Sequence, residues 1–280
     1  EVIRNSDLQR FVSSLLVQDA PAEAEVEIHT GETRYLRASG TFLHEQGQRA
    51  MLIVLNDVTR LRQLENIRRE FVSNVSHELK TPITSIKGFV ETLIGGAKND
   101  PADLDRFLAI ILKHADRLNS IIEDILDLSR IEQEGERREV QLERRRLRAV
   151  LGAAVQACRL KAEARRVTVD MDCPEGLDAR LNDHLLEMAV ANLLDNAIKY
   201  SPEGGRVELA ASEDSSGVTI RVSDHGPGIE KQHLSRLFER FYRVDKARSR
   251  TLGGTGLGLS IVKHIAQVHQ GGVDVESTPG

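Results

Sequence analysis

Residues 71–82 read FVSNVSHELKTP. They lie within a long run in which apolar residues recur every three or four positions, as in a coiled-coil seam. The seam positions are Leu61, Leu64, Phe71 and Val75, with Arg68 as a charged member. This period predicts one helix from Thr59 to about Leu93. His77 comes two residues after Val75, so we expect its imidazole to face away from the seam.

The same segment carries groups suited to chemistry at a helix surface. The neutral imidazole of His77 is a good nitrogen nucleophile, and Glu78 could orient or deprotonate its other nitrogen. Thr81, one turn further on, could position a water, and Pro82 predicts a kink. Most surface histidines have no chemical role, and His114 in the following helix is interpreted as packing. The segment alone therefore does not establish a site.

A second long helix is predicted after Gly95 and Gly96, which end the first. Asp100 followed by Pro101 supplies an N-cap and a first-turn proline. The apolar positions of this helix are Leu104, Phe107, Ile111, His114, Leu118, Ile121, Ile125 and Leu128. A second stripe consists of Leu108, Ala115 and Ile122. Two helices with such broad apolar faces cannot bury them alone, so we predict a hairpin that dimerises into a four-helix bundle.

Regions of mixed structure lie on both sides of this hairpin. Residues 1–58 combine a short helical pattern with alternating runs at 24–30, 33–43 and 50–56, which predict antiparallel strands separated by Gly31 and Gly47. These elements are too few for an independent core and favour the end of a larger domain.

Beyond a polar linker predicted at 132–141, helix and strand patterns alternate. The predicted helices are 147–164, 183–200 and one that opens near Gly256. The predicted strands are 167–171, 206–211 and 218–224. A turn at 214–217 joins the last two strands as a hairpin, so we expect an α/β sandwich rather than a wound βαβ sheet.

One of these helices carries polar groups on a single face. Residues 192–200 read NLLDNAIKY, which aligns Asn192, Asn196 and either Lys199 or Tyr200. Buried amides are costly unless a partner claims them, and a magnesium ion held together with phosphates is one such partner. A helix cap or a hydrogen-bond network is the more frequent explanation.

Two glycine-rich segments flank a polar loop. In DHGPGI, residues 224–229, the glycines allow close approach of a planar ligand, and Asp224 can accept from an adenine amine. In GGTGLGLS, residues 253–260, the free N–H groups of a helix start attract phosphate, although the Gly-Lys-Ser/Thr of a P-loop is missing. Residues 230–254 predict a mobile lid with apolar and cationic side chains. These are Phe238, Phe241, Arg243, Lys246, Arg248 and Arg250.

Composition narrows the function classes. The 280 residues suggest two or three domains, and 40% of them are hydrophobic and 29% charged. A net charge of −5 and the absence of Trp disfavour nucleic-acid binding. Arginine runs at 137–138 and 144–146 are interpreted as solvated linker and helix faces. Cys158 and Cys173 have no metal or redox spacing, and no run approaches the ~20 apolar residues of a membrane span.

In this order, the motifs resemble those of the sensor histidine kinases, which join a dimerising phosphoacceptor hairpin to a Bergerat-type ATP-binding domain. The resemblance covers about Asp57 to Gly280. It implies ATP-dependent phosphorylation of His77, with Glu78 as the acid/base residue, and transfer to an aspartate of a response regulator. It also implies that Thr81 serves dephosphorylation of that partner.

The resemblance further implies ATP and Mg²⁺ as cofactors. Asn196 is expected to bind the magnesium ion, with Asn192 and Lys199 near the phosphates. Tyr200 is expected against the adenine, whose amine Asp224 would bind. The other nucleotide contacts implied are Gly226, Gly228, Arg243 at the phosphate, and the cradle formed by Thr255, Gly256, Leu257 and Gly258.

Three domains are predicted: 1–58 as the second half of a PAS-like sensor domain, 59–135 as the dimerisation and phosphotransfer hairpin, and 136–280 as the ATP-binding domain with its last strand truncated. The run at 71–78 is most similar to the phosphate-regulon sensor subfamily. The chain begins without Met, and we expect the cytoplasmic portion of an inner-membrane sensor, contacting the membrane only through segments outside this chain. The expected partners are a second copy and a response regulator, with no nucleic acid.

One departure from the family pattern is His225, which stands where an asparagine is frequent. Two alternatives are a Bergerat-type ATPase or serine kinase in which His77 is incidental, and a non-catalytic dimerisation and relay module. The His77-Glu78 pair on a dimerising hairpin favours the histidine kinase over the first alternative. A full set of magnesium and adenine residues favours it over the second.

Overall fold

The computed structural model describes residues 5–18, 20–30, 32–45, 48–137, 140–215, 217–245 and 254–279. It divides into two compact units, Glu1–Val75 and Ser76–Gly280. Several residues named in the sequence predictions lie outside the described residues: Gly31, Gly47, Arg138, Ser216, Lys246, Arg248, Arg250, Gly253 and Gly280.

The first unit packs one helix on a small sheet. Helix α1 spans Ser6–Gln18, and strands β1 (Ala22–Thr30), β2 (Glu32–Glu45) and β3 (Gln48–Asp57) form an antiparallel sheet in the order β1-β2-β3. The buried side chains are Leu8, Phe11, Leu15, Val26, Ile28 and Ala38. Other large apolar side chains of the sheet stay exposed, namely Leu43, Leu52, Val54 and Leu55. The predicted strands and their antiparallel pairing are confirmed.

Two long helices follow, as the sequence predicted. Helix α2 spans Thr59–Ile94, a short 3₁₀ turn covers Ala97–Asn99, and helix α3 spans Pro101–Arg137. The Asp100 carboxylate accepts a hydrogen bond from the backbone N–H of Ala102 at 2.9 Å, which confirms the predicted N-cap. The rings of Phe89 and Phe107 join the two helices, with centroids 5.4 Å apart. Pro82 lies inside α2, and the kink there stays a prediction.

Helix α3 is longer than predicted. The linker assigned to residues 132–141 is wrong at its start, because α3 continues to Arg137. Glutamate, glutamine and arginine are strong helix formers, and a single glycine such as Gly135 costs a helix only about 1 kcal/mol. The polar composition of this segment therefore reflects a helix end rather than irregular chain.

The remaining elements build an α/β domain. Helices α4 (Leu147–Ala164) and α5 (Asp183–Tyr200) pack on each other and on a sheet of order β5-β7-β8. Strands β5 (Thr168–Asp172) and β7 (Arg206–Asp214) are parallel, and β8 (Gly217–Ser223) pairs antiparallel with β7 as predicted. The largest fully buried side chains of this core are Leu147, Leu151, Leu194, Ile198 and Leu209. Two further helices are α6 (Lys231–Leu234) and α7 (Gly258–Val268).

A second, two-stranded sheet was not predicted. Strand β4 (Glu143–Arg146) pairs antiparallel with β6 (Asp178–Leu181). The arginines at 144–146 therefore lie on an exposed strand, which corrects their assignment to linker and helix faces. Arg146 Nε lies 3.1 Å from Asp178 Oδ1 across the pair. Strands of four residues are too short to give a periodic signal in the sequence.

Candidate functional site

The predicted phosphoacceptor segment around His77 lies on the surface of α2. The His77 side chain is exposed, as predicted from its position after the seam residue Val75. The Thr81 hydroxyl donates to the His77 carbonyl oxygen at 3.1 Å, and the Ser85 hydroxyl donates to the Thr81 carbonyl at the same distance. These bonds tie the hydroxyls to the helix backbone. The role of Thr81 toward a water stays a prediction.

Glu78 is held by two arginines. Its Oε2 accepts from Arg117 Nη2 on α3 at 2.8 Å and from Arg243 Nη2 at 3.0 Å. The Glu78 side chain is 19% exposed, and those of Arg117 and Arg243 are 10% and 5% exposed. Hydrogen bonds between charged groups are strong where water is excluded. The contact joins the phosphoacceptor helix to the loop that follows α6.

Sequence reasoning missed Arg117. It lies between seam positions of α3, where a charge is typical of a solvated helix face. The one available signal was that Glu78 and Arg117 lie on the two helices of a predicted hairpin. Their sequence separation of 39 residues gave no period that would align them.

Arg243 also binds the second glycine-rich segment. Its Nη2 donates to the Thr255 carbonyl oxygen at 2.6 Å, and the Phe241 N–H donates to the Gly256 carbonyl at 2.8 Å. Gly256 has φ +80°, and a Cβ there would lie 2.9 Å from Phe241 Cα. Only glycine fits between the two segments in this conformation. The predicted cradle and the predicted phosphate-binding arginine are therefore in direct contact.

The polar face of α5 meets the same glycine-rich segment. A Cβ on Gly258 would lie 2.7 Å from Asn192 Oδ1, so the Asn192 amide faces the start of α7. The Asn192 Nδ2 donates to the Met188 carbonyl at 3.1 Å. Within the described part of the chain, the Asn196 side chain makes no hydrogen bond, which leaves its amide oxygen available to a ligand.

The residues around α5 are rich in positive charge. Burial above all lowers the pKa of Lys199, and the charges of Arg243, Lys161 and Arg117 lower it further, whereas Asp195 opposes the shift. The Lys199 ammonium lies 5.7 Å from the centre of the Tyr200 ring. Mutual repulsion among cations favours binding of an anion at this face.

The first glycine-rich segment lies at the C-terminal end of α5. The Gly226 N–H donates to Asp224 Oδ1 at 2.8 Å, and Gly226 lies against the Tyr200 carbonyl. Gly228 has φ +68° and packs on the backbone of Thr278. The structure thus places Tyr200, Asp224 and Gly226 together.

Helix α3 docks on the α/β domain beside this site. It contacts α7, and the buried apolar residues of the two helices are Ile121, Leu128, Ile131, Ile261, Val262 and Ile265. Ile121 and Leu128 were predicted for the dimer seam, but the single chain already buries both. Periodicity identified the apolar face of α3 without revealing that part of it belongs to the chain itself.

Two carboxylates accompany this docking. Burial raises the pKa of Asp124, a hydrogen bond from Thr255 lowers it, and Asp127, Asp195 and Glu123 add to the rise. Further along α3, Glu132 accepts a hydrogen bond from Arg240 and lies 3.1 Å from His264 Nε2. Burial and the nearby Arg240 charge lower the pKa of His264.

The described ranges, 5–279 with their gaps, hold no group of three or more His, Cys, Asp or Glu side chains placed to bind a metal ion. A magnesium ion would have to use an amide such as that of Asn196 together with phosphate oxygens. Nor does any helix of the described ranges have the length and apolar character needed to cross a membrane.

Comparison with known families agrees with the helical hairpin and the α/β domain. Residues 67–134 match the His Kinase A (phospho-acceptor) domain, and residues 181–280 match the Histidine kinase-, DNA gyrase B-, and HSP90-like ATPase. The chain therefore contains the two domains expected of a sensor histidine kinase.

Individual relatives support this placement. The chain is 37% identical over 245 residues to the sensor-like histidine kinase SenX3 of Mycolicibacterium smegmatis, covering 88% of this chain and 63% of that protein. It is 35% identical over 237 residues to the phosphate regulon sensor protein PhoR of Pseudomonas aeruginosa, covering 84% of this chain and 52% of that protein. These relatives agree with the predicted resemblance to the phosphate-regulon sensors. The chain spans less than two thirds of the length of either relative.

A solved structure shares the fold. The histidine kinase ThkA in complex with the response regulator protein TrrA superposes with a TM-score of 0.58 and 22% identity, covering 95% of this chain and 77% of that chain. The predicted helical hairpin followed by an α/β domain is confirmed.

Proposed function

We propose that this chain phosphorylates His77 with ATP and passes the phosphoryl group to an aspartate of a response regulator. The observation that carries the proposal is the contact of Glu78, next to the exposed His77, with Arg243 of the loop that packs on the glycine-rich segment. This contact brings α2 next to a residue proposed to bind the terminal phosphate, which supports transfer to His77.

The reaction assigns a role to each residue. The unprotonated ring nitrogen of His77 attacks the terminal phosphorus of ATP, a nitrogen–phosphorus bond forms, and the bond to the bridging oxygen breaks as ADP leaves. Glu78 orients the ring or accepts the proton from its other nitrogen. Arg243 and the backbone N–H groups at 255–258 hold the phosphates. Thr81 serves hydrolysis of the phosphorylated regulator.

The α5 face and the first glycine-rich segment suit the rest of the nucleotide. Asn196 would hold Mg²⁺ through its free amide oxygen, and the ion would neutralise phosphate charge. Asn192 and Lys199 would lie near the phosphates, and Tyr200 near the adenine. The exposed carboxylate of Asp224 would accept from the adenine amine, beside Gly226 and Gly228.

A second copy of the chain would complete the hairpin. Helix α3 leaves apolar side chains exposed on one face, namely Leu108, Leu112, Ile122 and Leu126. Exposed apolar stripes of this kind mark interfaces, and a dimeric four-helix bundle would bury them. The response-regulator partner is supported by the ThkA–TrrA complex, whose fold this chain shares.

The same proposal includes the domains of this chain and the location of its parent protein. Residues 1–58 would be the second half of a PAS-like sensor domain, 59–135 the dimerisation hairpin, and 136–280 the ATP-binding domain. The parent protein would be an inner-membrane sensor with this portion in the cytoplasm.

Labelled ATP tests the central assignment. We expect the wild-type chain to acquire a label that is acid-labile and base-stable, as phosphohistidine is, and His77→Gln to lose it while nucleotide binding persists. His114→Gln is the matched control on α3 and should label normally. Retained labelling of His77→Gln, or an acid-stable label, would favour a serine kinase or ATPase instead. Absence of nucleotide binding in the wild type would favour a relay module.

A further inference from the structure

Arg243 makes two hydrogen bonds with a single nitrogen. Its Nη2 donates to Glu78 Oε2 at 3.0 Å and to the Thr255 carbonyl at 2.6 Å. Its Nε is buried and finds no acceptor among the described residues. This Nε lies beside Gly256, where a Cβ would be 3.2 Å away. A buried guanidinium with an unused donor on the cradle side has capacity for a further anion.

Glu78 is the present anion partner of Arg243, and a phosphate is the same class of ligand. Guanidinium groups bind carboxylate and phosphate through the same planar array of donors. The proposed function places the terminal phosphate of ATP at Arg243. The contact with Glu78 uses Nη2 alone, so a phosphate that binds on the Nε side and draws the guanidinium over the cradle would pull Nη2 away from Glu78.

We propose that Glu78 and the terminal phosphate of ATP compete for Arg243. Arg117 is then the positioning residue, because it stays bound to Glu78 after Arg243 has moved to the phosphate. The proposal rests on the proposed function and concerns regulation of the same site. Before ATP binds, both arginines occupy the Glu78 carboxylate. When the terminal phosphate takes Arg243, Oε2 of Glu78 keeps one cationic partner instead of two, so the carboxylate becomes a stronger hydrogen-bond acceptor for the His77 ring. Binding of the triphosphate and activation of Glu78 are then one event.

The competition predicts a signature in nucleotide affinity. A site that is partly occupied by an internal competitor binds its ligand more weakly, in proportion to the fraction that is free. Glu78→Gln keeps the shape and removes the charge, so we expect it to bind a non-hydrolysable ATP analogue about 3- to 10-fold more tightly. ADP lacks the terminal phosphate, and its dissociation constant should change by less than about twofold. Glu78→Ala should behave in the same way.

Glu132→Gln is the matched control. Glu132 is also a carboxylate of the hairpin that accepts from an arginine of the α/β domain, but its partner is Arg240. We expect this variant to leave the ratio of ATP-analogue to ADP affinity unchanged. Equal tightening of both nucleotides by Glu78→Gln, or the same effect in Glu132→Gln, would show general loosening of the docked helix and overturn the proposal. No change in Glu78→Gln and Glu78→Ala would overturn it as well.

The proposed positioning role of Arg117 is tested by a separate measurement. Arg117→Gln should lower the rate of autophosphorylation at saturating ATP about 10-fold, because Glu78 loses its second partner, while the affinity for the analogue stays within about twofold. Arg117→Lys should restore part of the rate. A change in affinity without a change in rate would contradict the positioning role. These outcomes are distinct from failure of the proposed function, in which the wild type itself would neither bind ATP nor label His77.

Discussion

Thr81 and Thr92 make the same local hydrogen bond at two places on α2. The Thr81 hydroxyl donates to the His77 carbonyl at 3.1 Å, and the Thr92 hydroxyl donates to the Gly88 carbonyl at 2.8 Å. Both residues are exposed. What distinguishes them is their neighbour, because only Thr81 lies one turn from the proposed phosphoacceptor. Substituting each threonine in turn therefore distinguishes a chemical role of the hydroxyl from a structural one.

Thr81→Ala should leave autophosphorylation within about twofold of wild type but slow hydrolysis of the phosphorylated regulator at least ~10-fold, since the hydroxyl proposed to orient water is lost. Both rates can be followed with radiolabelled ATP and a purified regulator. Thr92→Ala should change neither rate. Equal loss of both activities in Thr81→Ala would instead indicate a structural role beside Pro82.

At the scale of single residues, the sequence identified several side chains of the candidate site but not all of their contacts. Glu78 and Arg243 were both singled out from local motifs, yet they are 165 residues apart, and no period links them. Arg117, Asp124 and Glu132 carry no motif at all. Their importance comes from the docking of α3 on the α/β domain, which is a tertiary arrangement that neither composition nor spacing contains.

At the scale of elements, long periodic segments were predicted well and short ones poorly. Helices α4 and α5 have the predicted bounds, because 18 residues give about five turns of apolar repeat. Strands β4 and β6 were missed, since their four-residue pairing is stabilised by partners 32 or more residues away. The end of α3 was missed because a polar, strongly helix-forming sequence resembles a linker.

Glycine has different effects in the second glycine-rich segment and in helix α4. Gly256→Ala should destabilise the chain by about 1–3 kcal/mol and weaken nucleotide binding, because alanine cannot adopt its positive φ without strain. Gly152 lies within α4, and a Cβ added there would meet no atom within 4 Å, so Gly152→Ala should stabilise by about 0.5–1 kcal/mol. Urea unfolding of both variants measures the difference. A stabilising Gly256→Ala would contradict the described conformation.

Asp124 predicts a pH effect on the docked helix. Burial raises the pKa of its carboxyl group, so its charged form opposes folding once the pH exceeds the ordinary carboxyl range. Asp124→Asn should therefore raise Tm at neutral pH, and its advantage should shrink as the pH falls through the raised pKa, where the wild-type carboxyl becomes neutral. Thermal unfolding across pH measures this trend. The exposed Asp116→Asn on the same helix is the control and should show no such trend.

At the scale of the whole molecule, two faces of α3 have different surroundings. One face is buried within the chain, and the other presents Leu108, Leu112, Ile122 and Leu126. A dimer through this second face would leave the docking of the α/β domain intact. In the proposed dimer, association and docking of the α/β domain would therefore use separate surfaces of α3.

Leu112→Glu should weaken dimerisation about 100-fold or more, because it places a charge in an apolar interface. The side chain is 62% exposed in the single chain, so the fold of the monomer should be preserved. Leu160→Glu on α4, where the side chain is 72% exposed, makes the same substitution outside the hairpin and should leave the dimer unchanged. Sedimentation velocity distinguishes the two outcomes. A monomeric wild type would contradict the bundle.

The different chemistry of the Asp224 group and the Arg243 group has a consequence for inhibitor discovery. If the proposed roles hold, a neutral compound that mimics adenine would need only Tyr200, Asp224 and the first glycine-rich segment, and it would leave the Glu78–Arg243 ion pair closed. A compound with an acidic tail would have to open that pair, as we propose for ATP. Screening without nucleotide should therefore favour uncharged adenine mimics, which would trap the enzyme with its base still occupied.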